Sequence, residues 1–425
     1  MKANFLVVSL SLVGQCIFAQ SSAKTDVFTS PKPVFSQVVQ NAYGWFEEKI
    51  RHFSDRAVQP VGISGAENLI VITTDGLRWQ EVFKGFDPGL LNTKGKHIFP
   101  DQNDQELNRK ALMPFFWSEI APKSQVFGNQ EYGNQVLVSN KMHISYPGYS
   151  EIFCGYSDDA RIQLNEKKPN PNVNILEWIN QQAGYQGRVA AVASWELFDY
   201  ILNEKRSRIK VNAGFERHHS RYGFSINEAQ SSQNLRLEAA PKPWKQHVRP
   251  DTLTWLFAQE YLSRLHPKVL YIGFGETDEY AHEGNYLGYL NAAHQFDSLL
   301  SVIWRTIQED PFYAGKTALM ITTDHGRGRK NWQSHHLFNP GSDEIWMAVY
   351  APGLEPKGEI RTTGVVYQRQ FAQTMAHLIG LDFKCAAHPV ASMINLDFNQ
   401  APVSPQEIAK TNHPEEATVL ETPHK

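Results

Sequence analysis

Ile321-Thr-Thr-Asp-His-Gly-Arg-Gly328, ITTDHGRG, runs β-branched residues straight into an aspartate, a histidine and a glycine turn, and nearly the same peptide, VITTDG, occupies 71–76. An apolar run ending in Asp-Gly reads as a buried strand closed by a turn. Further runs of this kind follow outward from the pair: Asn68 to Thr74, Gln135 to Asn140, Gly187 to Trp195, Lys268 to Gly275, Lys316 to Asp324 and Ile345 to Gly353. They are continuously apolar, as in strands of a sheet covered on both faces. Helical patterns lie between them. Asp251 serves as N-cap to a helix reaching Leu265, a long apolar-periodic stretch covers Tyr286 to Ile307, and Gln370 to Ile379 ends at Gly380. Strands alternating with helices predict an α/β fold with a mostly parallel central sheet flanked by helices.

The chain has 425 residues, enough for one large α/β domain with insertions. A formal net charge of −3 gives no global basic field, so no nucleic-acid-binding surface is expected. Residues 1–20 read as a signal peptide: Lys2, an apolar run from Phe5 to Val13, and a cleavage zone at Ala19-Gln20. This predicts a periplasmic or secreted protein without a transmembrane segment. Cys16 admits a lipid-anchor reading, but Gln15 stands where a small residue is expected. Cys154 and Cys385 then remain, as two buried thiols and not a disulfide framework. Residues 21–66 form a lead-in with a helix-like stretch from Phe35 to Phe53. Polar stretches at 84–112 and about 204–250 read as loops or a cap over the carboxyl edge of the sheet, and 401–425 as a disordered tail.

In open α/β sheets, ligands gather beyond the carboxyl ends of the strands. Asp75 follows VITT there, Asp278 and His282 follow YIGFGET, and Asp324 and His325 follow ALMITT; His335 and His336 come shortly after. Taken singly, each is also an ordinary cap, turn or surface residue. Together, carboxylates and imidazoles in this number suit zinc or a similar borderline cation. His218, His219 and His294 lack supporting ligands nearby. Between these motifs lies MHISYPGYSEIFCG (142–155). Pro147-Gly148 reads as a turn before a helix, which puts Ser150 at a helix N-terminus, where free N–H groups and a metal favour an alkoxide nucleophile. A plain N-cap is the alternative role for Ser150.

Asp75, Ser150, the Asp-x-x-x-His of 278–282, the Asp-His-Gly of 324–326 and a late His, in this order, resemble the alkaline phosphatase superfamily. The branch resembled is the nucleotide pyrophosphatase/phosphodiesterase-like or periplasmic alkaline-phosphatase-like group, over about residues 67–400. The resemblance implies two zinc ions, one held by Asp75, Ser150, Asp324 and His325, the other by Asp278, His282 and His335. It implies a phosphoseryl intermediate on Ser150 and a small-molecule phosphate ester, monoester or diester, as substrate. His336 stands where a glycine is usual and competes with His335. The Asp-Ser-Arg arrangement and the Lys-x-Arg pair of some relatives are missing, and Asn165, Asn170 and Asn172 are all candidates for a substrate-contacting Asn. A sulfatase of the same superfamily is the enzyme alternative. It asks for Cys/Ser-x-Pro-x-Arg, and Ser150 is not followed by that Pro and Arg. A non-catalytic metal-binding secreted protein is the third reading.

Overall fold

The computed structural model describes residues 64–91, 104–218, 226–244 and 247–398. All of them lie in one compact unit, Val58–Lys425. The expected signal peptide, the Phe35–Phe53 helix and the tail from Ala401 fall outside the described residues.

The strands, in chain order, are β1 (Asn68–Thr74), β2 (Gln125–Phe127), β3 (Asn134–Leu137), β4 (Val189–Ala193), β5 (Lys210–Ala213), β6 (Val269–Phe274), β7 (Thr317–Thr322), β8 (Glu344–Ile345), β9 (Met347–Tyr350), β10 (Gly358–Glu359) and β11 (Gly364–Tyr367). The main sheet has eight strands in the order β10-β2-β9-β7-β1-β6-β4-β5, and β11-β3-β8 form a small second sheet. From β7 to β5 every pairing is parallel. Only β9, between β7 and β2, runs antiparallel to its neighbours. The sheet is thus mostly parallel, as the alternation of patterns predicts.

The continuous apolar runs have a direct cause. Leu69 and Val71 of β1 enter one core and Ile70 and Ile72 the other; Val269 and Tyr271 of β6 divide in the same way from Leu270 and Ile272. With both faces covered, the central strands are left mostly to apolar side chains, and the polar ones they hold, such as Asn68 and Thr73, are buried and hydrogen-bonded. The helices that supply the cover include α1 (Trp79–Lys84), α2 (Gln105–Leu112), α3 (Ser145–Cys154), α4 (Ile175–Asn180), α5 (Asp251–Leu265), α6 (Glu276–His282), α7 (Tyr286–Glu309) and α8 (Phe371–Leu378). One face carries α3, α4 and α8, through Ile152, Ile179 and Met375 among others. The opposite face carries α5 and α7, through Leu262, Phe296 and Ile303.

Three expectations change in detail. Residues 204–250 are not all loop or cap, because Lys210–Ala213 pairs in parallel with β4 as the edge strand β5. The polar stretch 84–112 contains α2, capped by the Asp104 side chain on the amides of Glu106 and Leu107. Asp251 is the first residue of α5 and not its cap: its carboxylate turns away to accept from Gly275 N (2.8 Å) and Glu276 N (3.2 Å). That contact pins the start of α5 to the junction between β6 and α6. Cys154 is buried and Cys385 half-buried, and both are free thiols.

Candidate metal centre

Register places the functional side chains. Thr74 of β1 pairs with Phe274 of β6, and Thr73 with Thr322 of β7. The chain therefore leaves three adjacent central strands at one level, and Asp75, α6 and Asp324-His325 all start there. No helix dipole or loop excursion is needed to gather them.

Asp75, Asp324 and His325 form a buried group whose ligand atoms lie within 4.8 Å of one another. His325 Nε2 is 3.4 Å from Asp75 Oδ1 and 3.4 Å from Asp324 Oδ2. Burial, then His335, hold the His325 imidazole well below its ordinary range. The ring is therefore neutral, and these approaches are converging lone pairs and not ion pairs. Its Nδ1 lies 2.9 Å from the Gly326 carbonyl and donates to it, which leaves Nε2 bare. Asp75 Oδ1 and Asp324 Oδ2 are buried without a hydrogen-bond partner. Each unsatisfied buried acceptor costs about 1–3 kcal/mol. Burial, with the charges of Asp324 and Asp278, pushes the Asp75 carboxyl well above its usual range. A bound cation resolves all of this, so the donor set fits a divalent metal.

The second group is Asp278, His282 and His335. His282 Nε2 is 3.0 Å from Asp278 Oδ2 and 3.1 Å from His335 Nε2, and His335 Nε2 is 3.7 Å from Asp278 Oδ1. Asp278, His325 and His335 again converge within 4.8 Å, while His282 closes the group on the exposed side. His335 donates from Nδ1 to the His143 carbonyl (2.9 Å), and burial pushes its imidazole down to about 4. His143 holds that carbonyl in place from a left-handed backbone conformation (φ 51°). Burial would raise Asp278, but Arg327 and His282 more than offset it and hold the carboxylate well below its usual range.

The family model of the Metalloenzyme superfamily matches residues 240–382, the stretch that carries Asp278, His282, Asp324, His325 and His335. No curated protein matches the chain. Among solved structures, a Bacteroides thetaiotaomicron protein assigned as a sulfatase is 12% identical with a TM-score of 0.50, over 76% of this chain and 72% of that one. The chain shares the fold of that structure, a mostly parallel α/β sheet flanked by helices. A Vibrio parahaemolyticus protein of the alkaline phosphatase superfamily aligns at 14% identity and a TM-score of 0.48, covering 77% and 71%. The lipoteichoic acid synthase LtaP of Listeria monocytogenes aligns at 12% and 0.47, covering 75% and 77%. Of these three, the first carries the shared fold.

Within this fold one expected site residue lies elsewhere than the sequence suggests. Ser150 is not at a helix start. It lies inside α3, buried, with Oγ 3.1 Å from Asn170 Nδ2 and 3.7 Å from Cys154 Sγ. Pro147-Gly148 is not the turn. Proline is accepted in the first turn of a helix, where its missing N–H has no partner to lose, and α3 begins before it. The helix starts at Ser145, whose Oγ is 3.2 Å from His325 Nε2. Gly148 makes the close approach possible: a Cβ there would lie 2.5 Å from the Asp324 carbonyl oxygen.

The His335/His336 alternative also resolves in the geometry. His336 Nδ1 accepts from Phe338 N (3.1 Å), in its own loop, while His335 joins the cluster. Of the three asparagines, Asn165 lies beside the Ser145 end of α3, its Oδ1 accepting from Tyr146 N (2.9 Å); Asn170 faces Ser150, and Asn172 bonds the Tyr156 hydroxyl (2.7 Å). His218 stacks on Phe257, and His294 Nδ1 meets the Leu112 carbonyl, so both serve packing. Sequence reasoning missed Ser145, and it missed Tyr149, whose hydroxyl donates to Asp75 Oδ2 (3.2 Å). The signal for Ser145 was present: a serine two residues before a proline fits a helix start as well as a turn.

Proposed function

We propose that the chain is an exported dizinc phosphoric-ester hydrolase with Ser145 as nucleophile, acting on small-molecule phosphate monoesters or diesters. The observation that carries this reading is the Ser145 hydroxyl at a helix N-terminus, 3.2 Å from His325 Nε2 and next to the orphaned Asp75 and Asp324 oxygens. Asp75, Ser145, Asp324 and His325 would hold one ion, and Asp278, His282 and His335 the other. When bound, such a pair supplies Lewis-acid stabilisation for the attacking and leaving oxygens of an in-line displacement.

The chain's own residues do the rest. In the first turn of α3, Tyr146 N donates to Asn165 Oδ1, Pro147 has no N–H and Gly148 N donates to the Ile144 carbonyl, so an anion beside Ser145 would be held by the ions and not by the helix start. Asn165 fixes Tyr146, and so the residue carrying Oγ. Ser145 Oγ loses its proton and attacks phosphorus; the bond to the alcohol oxygen breaks, and that oxygen leaves with the proton. Water then cleaves the phosphoseryl group, returning the Ser145 hydroxyl and releasing phosphate or, from a diester, a monoester.

A sulfatase reading gains one point from Ser145 as the proposed nucleophile, because Ser145-Tyr-Pro matches the first half of Ser-x-Pro-x-Arg. Its fifth position is Tyr149, which is engaged with Asp75. Imidazoles from His282, His325 and His335 also suit zinc better than the hard cations that oxygen ligands select. The test compares turnover of an aryl phosphate monoester, an aryl phosphate diester and an aryl sulfate, after chelation and after zinc addition. Phosphate-ester turnover restored by zinc is the expected result. Preferential sulfate turnover, with Ser145 converted to an aldehyde by peptide mass, overturns it.

A further inference from the structure

Arg327 is a fully buried guanidinium beside the second ligand group, and the hydrolysis above gives it no role. Complete burial excludes direct contact with a substrate. Each of its three nitrogens is engaged within the protein. Nε donates to the Trp332 carbonyl (2.8 Å) and Nη2 to the Gln333 carbonyl (2.8 Å), while Nη1 pairs with Asp278 Oδ1. The two carbonyls belong to the loop that delivers His335, and Asp278 belongs to α6. One planar group thus spans two segments that contribute ligands to the same position, with the bond directions fixed by the guanidinium plane. The path is kept open by Gly76: a Cβ there would lie 2.6 Å from Arg327 Nη1 and 2.8 Å from Asp278 Oδ1. His282 Nε2 approaches the other carboxylate oxygen, Asp278 Oδ2.

We propose that Arg327 is the positioning residue of the second ion: it ties Asp278 to the Trp332–Gln333 loop so that Asp278 and His335 are presented together. This rests on the dizinc reading. Arg327 bonds directly to Asp278 but to no ligand of the first group, on which it acts through its charge alone, so the second ion responds more strongly to its loss. Removing a partner that orients a metal ligand typically weakens metal affinity about 10–100-fold.

The experiment is a competitive chelator titration with zinc on the full chain, comparing wild type, R327M and R327K, with bound metal counted after desalting. Two ions are expected for wild type. R327M is expected to retain one ion near wild-type affinity and to bind the other about 10–100-fold more weakly. R327K keeps a positive charge near Asp278 but cannot reach both carbonyls, so it is expected to lose affinity for the same ion by a smaller factor. A role in folding alone moves the thermal midpoint of the chelated protein and leaves the two affinities in their wild-type ratio. That result, or two unchanged affinities in R327M, overturns the proposal; if R327M does not fold, the R327K titration decides on the same criterion. A wild type that binds no zinc overturns the dizinc reading and this inference together. Two ions in wild type with R327M unchanged overturns this inference alone.

Discussion

Ser145→Ala and Ser150→Ala separate the nucleophile from its near neighbour on α3. Ser150 Oγ is buried and accepts from Asn170 Nδ2 at 3.1 Å, and the only alternative acceptor at hand is Cys154 Sγ at 3.8 Å. Its removal leaves a buried amide donor with a weak partner, which costs about 1–3 kcal/mol of unfolding free energy. Catalysis should be unaffected, because Ser150 Oγ meets only Asn170 and Cys154. Ser145 is the reverse case. Its Oγ is the partner of the buried His325 Nε2, a place that a bound ion would take, so with zinc present Ser145→Ala changes stability by less than about 1 kcal/mol. Turnover should fall by on the order of 10³-fold or more, about 4 kcal/mol of transition-state stabilisation. The assay is urea unfolding of both variants beside steady-state hydrolysis of an aryl phosphate with zinc added. Full activity in Ser145→Ala, or lost activity in Ser150→Ala with an intact fold, refutes the reasoning.

Three further outcomes are expected. His335→Ala should release one of two zinc ions in a metal count, whereas His336→Ala should keep both, since His336 bonds only within its loop. Gly326→Ala should destabilise the fold by about 2–3 kcal/mol in urea unfolding, because a Cβ there would lie 2.6 Å from the Gly341 carbonyl oxygen and also against that of Glu344. Asp297 accepts from the amides of Phe115 and Phe116, yet burial holds its carboxyl up at about 6 from 3.8. An acid raised in the folded state resists ionisation there, so its penalty is absent below about pH 4 and complete above about pH 6, on the order of 3 kcal/mol at most. Wild-type stability relative to Asp297→Asn should therefore fall as pH rises through that window; parallel unfolding profiles count against it.

Strands β1, β4, β6, β7 and β9 of the main sheet were legible because both faces are covered there, whereas β2 and β10 are too short to leave a pattern. Full burial writes a continuous apolar run, which is why Asn68–Thr74 matches β1 end to end. Edge strand β5 was not legible: Lys210 is exposed, and four residues carry little periodic signal. The helix α2 was hidden in the same way, as a short element in a polar stretch. Metal ligands were legible because they sit where strands stop, and strand stops are local events. Asp75, Asp324 and His325 follow from that rule, Asp278 and His282 lie in the helix just after β6, and His335 was chosen from the family resemblance; the structure brings all six together.

By itself the sequence determined the fold class, the carboxyl edge as the site, and the types of ligand available. These are properties of local pattern, fixed by which residues can be buried and which can end a strand. Only the tertiary structure shows that Ser145 rather than Ser150, His335 rather than His336, and Asn165 rather than Asn170 or Asn172 lie at the carboxylate–imidazole cluster or beside it. Each choice turns on which side chain faces a partner far away in the chain. The ITTD echo shows both levels at once. Two similar peptides predict two strand ends, but only the parallel register of β1 and β7 brings Asp75 and Asp324 to the same imidazole.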